Sequence, residues 1–246
     1  MQPCAQVESL SIVLPCRNEA ENVARVVRAA LREGSRVSRR VEVIVVNDGS
    51  TDDTGMIGAE LAREDPRVRV VTHEVGRGYG AALRSGFDAA QMDVVFWTDG
   101  DGQFDLGELG SLLGLLSSFD AAIGFRRKRR DNIVRRLNGF CWTLLMRWML
   151  GVRSRDVDCA FKVFPRAFLQ GTGLVSNGAM ISAEVLARAS RAGLRIGEVG
   201  VRHQPRIAGT PSGGTLRVIA KAFAELRTLR RLLAAGARPG DDARRA

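Results

Sequence analysis

Short apolar runs recur at regular intervals along the first half of the chain, beginning near residues 10, 41, 68 and 93. Each run is continuous rather than alternating, which is typical of strands that are buried on both faces of a parallel sheet. The stretches between the runs are long enough for helices, and this rhythm predicts βα units with right-handed crossovers. The predicted strands are Leu10–Leu14, Val41–Val46, Val68–Thr72, Val94–Trp97 and Ala121–Phe125, with a later one at Arg195–Val201.

The residues that follow these runs predict where the helices begin. Pro15 closes the first run, and Asn18 is then placed to cap a helix with one apolar face. The residues on that face are Val23, Val26, Val27 and Ala30. Further helices are predicted over Ala81–Ala90 and Ser182–Ser190. The fold class that follows is α/β, with a mostly parallel sheet flanked by helices in a single domain.

The length and composition of the chain indicate a globular protein with a strongly positive net charge. The chain has 246 residues, of which 45% are apolar and 26% are charged, as expected for a globular protein rather than a disordered one. The net charge of +10 and the pI of about 10.7 favour binding to polyanions, which include nucleic acids, phosphorylated ligands and anionic membrane surfaces. The sign of the charge alone does not choose among them.

The cysteines and the N-terminus bear on the compartment. Cys4, Cys16, Cys141 and Cys159 form no C-x-x-C pair and no disulfide-rich spacing, so we expect reduced thiols in a cytoplasmic protein. The N-terminus lacks a basic segment followed by an apolar one, and no apolar run approaches the roughly 20 residues of a spanning helix. We therefore expect no signal peptide and no transmembrane helix.

The fourth apolar run ends at two aspartates that are spaced one residue apart, Asp99 and Asp101. Open α/β sheets bind ligands at the carboxyl ends of their strands, and residues i and i+2 of a turn can aim their side chains at one point. Hard divalent cations prefer such oxygen ligands, and Gln103 could supply a third. A solvated acidic turn is the alternative, and a lone D-x-D motif does not decide between the two.

Three common nucleotide or hydrolase motifs are missing from the expected places. The first strand is followed by PCRNEAE rather than G-x-G-x-x-G, while Gly76, Gly78 and Gly80 come only after the third strand. The chain contains neither the P-loop sequence G-x-x-x-x-G-K-[ST] nor a G-x-S-x-G elbow. These absences argue against a dinucleotide-binding enzyme, a P-loop nucleotidase and an α/β-hydrolase.

Seven motifs, in order, resemble the family 2 glycosyltransferases of GT-A fold, and within them the dolichyl- or polyprenyl-phosphate mannose synthase branch. They are SIVLPCRNEAENV, VEVIVVNDGSTDDT, GRGYGAALRSGF, TDGDGQF, IGFR, DVDCAFKVF and EVGVRHQPRIAG, and together they cover Ser11 to about Gly209. The resemblance implies an inverting transfer of a hexose from a nucleotide-sugar, assisted by Mg²⁺ or Mn²⁺. We expect a glycosyltransferase domain over residues 1–214, and an amphipathic helix and a basic tail over residues 215–246, which the resemblance leaves unassigned.

The same resemblance assigns the donor side of the site. Residues that would hold the nucleotide-sugar are Pro15, Arg17, Glu19, Asp48, Arg77 and Asp99, and those that would hold the metal are Asp99, Asp101 and Gln103. Arg17 stands where the family often has an aromatic or small residue, and Gly76 where it usually has Asn. The glycine-rich turn opens the helix at Ala81, whose N-terminal amides could face a phosphate or sugar. For Asp48, a turn or helix-cap role is an equal alternative.

The catalytic and acceptor residues follow from the later motifs. A divalent ion at Asp101 would neutralise the charge that grows on the leaving diphosphate, and Arg126 would hold phosphate oxygens. An acceptor hydroxyl would need a general base, for which the candidates are Asp156, Asp158 and Glu184. An acceptor phosphate is already anionic and would instead be positioned by Arg206, with His203 as a secondary candidate.

We therefore expect transfer from GDP-mannose or a UDP-sugar to a polyprenyl phosphate. The alternatives are a soluble acceptor, such as a secondary metabolite or a nucleoside, and a non-enzymatic polyanion-binding protein. Binding of nucleic acid is not expected, because the carboxylates of Asp99 and Asp101 would repel it. An anionic membrane surface is a further expected partner, since two segments have apolar residues at helical spacing beside basic ones: Asn132–Leu150, which includes Ile133, Leu137, Phe140, Leu144 and Trp148, and Thr215–Leu233. The alternative for both segments is an ordinary amphipathic helix packed on the sheet.

Overall fold

A seven-stranded sheet forms the centre of the molecule. The computed structural model describes residues 7–127, 143–205 and 225–233. The strands are β1 (Val7–Cys16), β2 (Ser38–Asp48), β3 (Val68–His73), β4 (Val94–Thr98), β5 (Ala121–Arg126), β6 (Phe161–Pro165) and β7 (Ile196–Val201). Their order across the sheet is β3-β2-β1-β4-β6-β5-β7. The sheet is therefore continuous from one side of the molecule to the other.

Six of the seven strands run in the same direction, and β6 is antiparallel to its neighbours β4 and β5. The prediction of a mostly parallel sheet in an α/β domain is confirmed, whereas β6 had no prediction. Since β6 runs the opposite way, its first residue, Phe161, pairs with Thr98 at the carboxyl end of β4. The chain that enters β6 is thereby delivered to the edge at which the parallel strands end.

Helices cover both faces of the sheet. They are α1 (Ala20–Val37), α2 (Thr54–Glu64), α3 (Tyr79–Ala89), α4 (Leu109–Leu113), α5 (residues 143–150), α6 (Arg166–Gly171), α7 (Ile181–Arg191) and α8 (residues 225–233). Two short 3₁₀ turns, Leu106–Glu108 and Gly114–Ser117, flank α4. One apolar core contains residues of α1, α2 and α4, and the other contains residues of α3, α5, α6, α7 and α8. Successive strand residues point to opposite cores, so the strands are buried on both faces.

The start of α1 differs from the prediction. Glu19, rather than Asn18, occupies the N-cap position of the helix. Asn18 has a positive φ of 56°, a conformation that Asn adopts more readily than most residues. Its side-chain oxygen accepts a hydrogen bond from the backbone N–H of Thr51 at 2.8 Å, so it ties two loops together instead of capping a helix.

The two amphipathic segments are described only in part, as α5 and α8. In α8, Leu226 and Leu229 are each 1% exposed and belong to the apolar core, so this side of the helix faces the protein. In α5, Met146 is buried, while Leu144 and Trp148 are 54% and 79% exposed. In the described ranges, every helix is too short or too polar to cross a membrane.

Candidate active site

The acidic turn after β4 brings two carboxylates together at the carboxyl edge of the sheet. Burial and the neighbouring charge of Asp101 raise the pKa of the Asp99 carboxyl to about 7. The hydroxyl of Tyr79, at the start of α3, hydrogen-bonds to Asp99, and burial together with the Asp99 charge raises the pKa of Tyr79 well above its usual value. Tyr79 therefore keeps its proton and acts as a donor to the carboxylate.

A short antiparallel contact joins this turn to the segment that follows β7. The backbone N–H of Gln103 donates to Asp101 Oδ1 at 3.0 Å, and its side-chain Nε2 donates to the carbonyl of Gln204 at 2.9 Å. In return, the N–H of Gln204 donates to the carbonyl of Gln103 at 2.8 Å. Phe104 and His203 form a β-bridge, and their rings meet edge to face at 4.9 Å. Residues 203–205, the HQP segment, are thus held against the acidic turn.

These contacts place one of the two predicted acceptor residues. His203 is half-buried beside the acidic turn. Arg206, the predicted acceptor-phosphate arginine, lies outside the described residues.

The turn has the chemistry of a divalent-cation site. Burial and, after it, the like charge of Asp101 raise the pKa of Asp99, and a bound cation would relieve the repulsion between the two carboxylates. The side-chain oxygens Asp101 Oδ2 and Gln103 Oε1 accept no hydrogen bond from the parts of the chain that the structure describes. Within those same parts, no group of three or more His, Cys, Asp or Glu side chains forms a closed metal cage. Mg²⁺ is commonly held by one or two carboxylates together with substrate phosphates, and this donor set fits that pattern.

Arg126 and Asp156 form a buried bidentate ion pair. Arg126 Nε donates to Asp156 Oδ2 at 2.6 Å, and Nη2 donates to Oδ1 at 2.8 Å. The side chains are only 15% and 8% exposed. Arg126 Nη1 has no hydrogen-bond partner among residues 7–127, 143–205 and 225–233. Asp156, predicted as a general-base candidate, instead orients Arg126, whereas Asp158 is exposed nearby.

Lys162, on β6, is a functional candidate that the sequence analysis missed. Its side chain is fully buried, and Nζ donates to the carbonyls of Val157, at 3.0 Å, and Cys159. Burial lowers the pKa of Lys162, and its charge in turn acts to lower the pKa of Asp99. A lone lysine inside the apolar run CAFKVF was the available signal, because a strand buried on both faces leaves its ammonium group no route to solvent.

The loops after β1 and β2 are fastened to each other by neutral hydrogen bonds. The backbone N–H groups of Asn18 and Glu19 donate to the hydroxyls of Ser50 and Thr54 at 3.0 and 2.8 Å. The carboxylate of Glu19 is buried and accepts from Asn22 Nδ2 at 2.8 Å, so it serves the start of α1.

The other two residues near the end of β1 that are predicted to bind the nucleotide-sugar, Pro15 and Arg17, precede Asn18 in the chain. Pro15 pairs with Val46 inside the sheet. Arg17 is exposed above the crevice between the strand ends. Of Pro15, Arg17 and Glu19, only Arg17 presents a functional group to solvent.

Asp48, at the end of β2, is saturated with hydrogen bonds. Oδ1 contacts His73 Nδ1 at 2.7 Å and accepts the N–H of Arg77 at 2.8 Å, while Oδ2 accepts the N–H of Gly78 at 2.9 Å. His73 Nε2 lies 2.9 Å from Ser85 Oγ. Burial acts to raise the pKa of Asp48, but these hydrogen bonds outweigh it and hold the pKa below its usual value. Asp48 thus shapes the glycine-rich turn, and His73 is its buried partner.

The N-terminus of α3 is closed by protein backbone. The carbonyl of Asn177 accepts hydrogen bonds from the N–H groups of Gly80, at 2.9 Å, and Ala81, at 3.3 Å. A Cβ on Gly80 would lie 2.5 Å from the carbonyl oxygen of Ser176, so only glycine fits beneath this loop. The expectation that these amides face a phosphate or sugar is wrong in this structure, because Asn177 already occupies them. Arg77 contributes to a cavity of about 370 Å³ between α3 and α6.

Glu184 holds the same loop from the other side. Its carboxylate is fully buried and accepts the N–H groups of Val175 and Ser176 at 2.8 to 3.2 Å, together with Arg188 Nε at 2.8 Å. A general base must reach the proton that it removes, and Glu184 has neither exposure nor a free lone pair directed at solvent. The base role predicted for Glu184 is therefore contradicted, and the residue anchors the loop that caps α3.

Comparisons with known proteins agree with this geometry. The sequence model described as "Glycosyl transferase family 2" matches residues 11–170. Glycosyltransferase AglD of Haloferax volcanii is 34% identical over 212 residues, which cover 80% of this chain and 33% of AglD. The chain thus spans about a third of that relative's length. Dodecaprenyl-phosphate galacturonate synthase of Rhizobium johnstonii is 29% identical over 237 residues, covering 94% of this chain and 69% of that protein.

One solved structure extends the comparison to three dimensions. Glucosyl-3-phosphoglycerate synthase from Mycobacterium tuberculosis, in complex with Mn²⁺, uridine diphosphate and glucosyl-3-phosphoglycerate, superposes with a TM-score of 0.64 at 23% identity. The match covers 93% of this chain and 78% of that protein. A likeness at this level of identity shows the fold, and it confirms the fold class predicted from the sequence.

Proposed function

Because the chain belongs to glycosyl transferase family 2, we propose that it moves a hexose from a nucleotide-sugar, GDP-mannose or a UDP-sugar, to a polyprenyl phosphate with inversion at the anomeric carbon. The observation that carries the proposal is the meeting of three features at one sheet edge. These are the Asp99–Asp101 turn, the Arg126 guanidinium and the HQP segment, which is bonded to Gln103. The name of the Rhizobium relative, which specifies dodecaprenyl phosphate, supports the choice of acceptor.

The residues of the acidic turn would prepare the donor side. Asp99, Asp101 and Gln103 would hold the divalent cation together with the donor's diphosphate. When bound, this ion supplies positive charge that stabilises the departing nucleoside diphosphate. The hydrogen bond from Tyr79 orients Asp99, and the backbone N–H of Gln103 orients Asp101, so neither carboxylate has to reorganise during the reaction.

The acceptor side needs positioning rather than a base. A phosphate monoester is anionic at neutral pH, so one of its oxygens can attack the anomeric carbon without losing a proton. That oxygen forms the new bond while the bond from the anomeric carbon to the diphosphate oxygen breaks, and the nucleoside diphosphate leaves with the electron pair. Arg126, held by Asp156, would direct Nη1 at phosphate oxygens. Arg206 is proposed to bind the acceptor phosphate, and His203 to support it.

A lipid acceptor also requires contact with a membrane surface. Leu144 and Trp148 lie one helical turn apart on α5, and both are largely exposed. Trp is favoured at the boundary between water and lipid because its ring is apolar and its N–H is polar. We propose that this side of α5 touches an anionic membrane surface, with the net charge of +10 assisting.

The test of function is a transfer assay with two donors and two acceptors. GDP-mannose and UDP-glucose are each supplied with undecaprenyl phosphate in detergent or with 3-phosphoglycerate, in Mn²⁺ or in EDTA. We expect metal-dependent transfer to the lipid phosphate, and a fall of about a hundredfold or more in Asp101→Asn. Asp120→Asn, in an exposed ion pair with Arg195, is the matched control. Transfer only to 3-phosphoglycerate would replace the lipid acceptor with a soluble one, and full activity in EDTA would refute the metal site.

Membrane attachment is tested separately by co-sedimentation with liposomes. The native protein should bind anionic liposomes at low salt and leave them at high salt, because each basic residue near the surface contributes about 1 kcal/mol that salt screens. Leu144→Ser with Trp148→Ser should bind less, and Met56→Ser, at another exposed apolar residue, should bind normally. A native protein that stays in the supernatant with anionic liposomes at low salt would contradict the attachment.

A further inference from the structure

Arg17 lies flat on the backbone of the glycine-rich turn. A Cβ built on Gly76 would lie 2.8 Å from Arg17 Cζ, 2.8 Å from Nη1 and 3.1 Å from Nη2. Three nearly equal distances mean that the guanidinium plane faces the α-carbon instead of pointing its edge at it. Any side chain at position 76 would occupy the space of this group. This position of the Arg17 side chain therefore requires glycine at position 76, although the two residues are 59 positions apart in the chain.

The surface beneath the guanidinium is rigid. A Cβ on Gly49, where φ is +63°, would lie 2.2 Å from the backbone nitrogen of Gly76, so the turns after β2 and β3 are in direct contact. Asp48 fixes the next two residues by accepting the N–H groups of Arg77 and Gly78. The loop that carries Arg17 is itself fastened to the β2 loop through Asn18. The guanidinium is thus presented on a pre-formed support.

The edge of this guanidinium is available to a ligand. Arg17 is exposed, and it makes no hydrogen bond or ion pair with any other residue in the described ranges. Arg28, another exposed arginine, does have an acidic partner in Glu64. An arginine that lies flat against backbone without a partner leaves the edge of its planar guanidinium for a planar ligand that has adjacent acceptors.

The order of the strands indicates which part of the donor would reach this place. The acidic turn follows β4, whereas Gly76 follows β3, three strand positions away. Neighbouring strands are about 4.8 Å apart, so the ends of β3 and β4 are separated by about 14 Å. A nucleotide with its diphosphate at Asp99 and Asp101 would extend along the strand ends and place its base near Arg17.

We infer that Arg17, seated on Gly76, selects the base of the donor and that this base is guanine. The inference rests on the proposed function. Guanine presents two adjacent acceptors, O6 and N7, which match two N–H groups of one guanidinium. Adenine replaces O6 with an amino donor, and uracil offers no such adjacent pair. Asp48 does not compete for this role, because its oxygens are already engaged with His73, Arg77 and Gly78.

The test is calorimetric binding of GDP, ADP and UDP in the presence of Mn²⁺, with no acceptor and no turnover. Native protein should bind GDP about tenfold or more tightly than ADP or UDP, as expected for one good bidentate contact. In Arg17→Ala and Arg17→Lys, the three affinities should agree to within about twofold or threefold, because both variants lack the fork of donors. Arg28→Ala is the matched control and should keep the native preference.

Gly76→Ala provides an independent test that leaves Arg17 in the chain. Gly76 is not in the positive-φ region, and the added methyl meets only the flexible end of Arg17, so this variant should fold. It should displace the guanidinium and lose the preference for GDP as Arg17→Ala does. A native preference for ADP or UDP, or an equal loss of all three nucleotides in Arg17→Ala, would overturn the inference and leave the proposed function standing. If none of the three nucleotides binds the native protein, both the inference about guanine and the proposed function are overturned.

Discussion

The two sides of the site are built from different kinds of interaction. On the β1–β3 side, the loops after β1 and β2 are joined to each other mainly by hydrogen bonds between hydroxyls, amides and backbone groups, as between Asn18 and Thr51, and the buried carboxylate of Asp48 holds the turn after β3. Beyond β4, the loops are held by buried charges: Glu184 with Arg188, Arg126 with Asp156, and Lys162 with two carbonyls. A neutral hydrogen bond costs little when it is lost, whereas a buried charge that loses its partner costs much more. Apart from Asp48, the donor side should therefore tolerate change better than the acceptor side.

The largest effect should come from Glu184→Ala. This change leaves Arg188, which is 9% exposed, without its partner and frees the N–H groups of Val175 and Ser176. We expect a loss of about 3–5 kcal/mol in the free energy of unfolding, measured by urea denaturation. Glu198→Gln, in an exposed pair with Arg155, is the control and should change stability by less than about 1 kcal/mol. Equal losses in the two variants would remove the distinction between the sides.

Lys162→Met should have the next largest effect. Methionine has nearly the same length, but it leaves the carbonyls of Val157 and Cys159 without their donor. Unpaired buried polar groups cost about 1–3 kcal/mol each, and relief of the desolvated ammonium offsets part of that cost. We expect a net loss of about 2 kcal/mol in the same urea measurement. A variant more stable than the native protein would show that the desolvation of the Lys162 ammonium costs more than its two hydrogen bonds contribute.

Asp99, at the boundary between the two sides, should give a pH-dependent effect. Its pKa of about 7 in the folded protein exceeds the usual value near 4, so the ionised form is disfavoured by folding. Stability from this group is therefore present below about pH 4 and is lost as pH rises toward 7. In EDTA, Asp99→Asn should match the native protein at pH 4 and exceed it by about 1–3 kcal/mol at pH 8. A difference that does not change with pH would contradict the raised pKa.

The smallest effect should come from Thr54→Val on the donor side. The side chains have the same shape, and Thr54 is fully buried, so the change removes only its hydroxyl, which accepts the N–H of Glu19 and donates to Asp52 Oδ1. We expect a loss of about 1–2 kcal/mol by thermal or urea unfolding. Thr51→Val, at an exposed position of the same loop, should be nearly neutral. A loss as large as that of Glu184→Ala would show that the two sides do not differ in tolerance.

The parallel part of the fold was predictable because its signal is local. Each of β1 to β5 contains its predicted run, for example Val41–Val46 within Ser38–Asp48, since a continuous apolar run between polar loops has few other solutions. The position of Asp99 and Asp101 at the edge of the sheet followed from the same pattern. Strand β6 was not predicted, because FKVFP includes a lysine and its partners lie 39 to 71 residues earlier in the chain.

The carboxylates among the predicted site residues share one physical feature. Glu184, Asp156 and Asp48 were assigned from the family resemblance and from residue type, with a turn role as an equal alternative for Asp48, and each carboxylate is bonded to a partner that only the folded chain supplies. Sequence shows which groups can carry a charge, but not which of them are already neutralised by a neighbour. Arg17 is the reverse case, because it has no charged partner in the described ranges, and only the fold brings it over Gly76.

The cap on α3 has a consequence for how the chain can vary. The acceptor is the carbonyl of Asn177, a group that every amino acid carries, so replacing the side chain at 177 removes only an exposed hydrogen bond from Arg84 and leaves those to Gly80 and Ala81 in place. The path of the loop is held at its buried end by Glu184, which touches neither amide. In a saturation mutagenesis library, tolerance at the contact and intolerance at its remote anchor would then appear together. A ranking of positions by proximity to the glycine-rich turn would misjudge both.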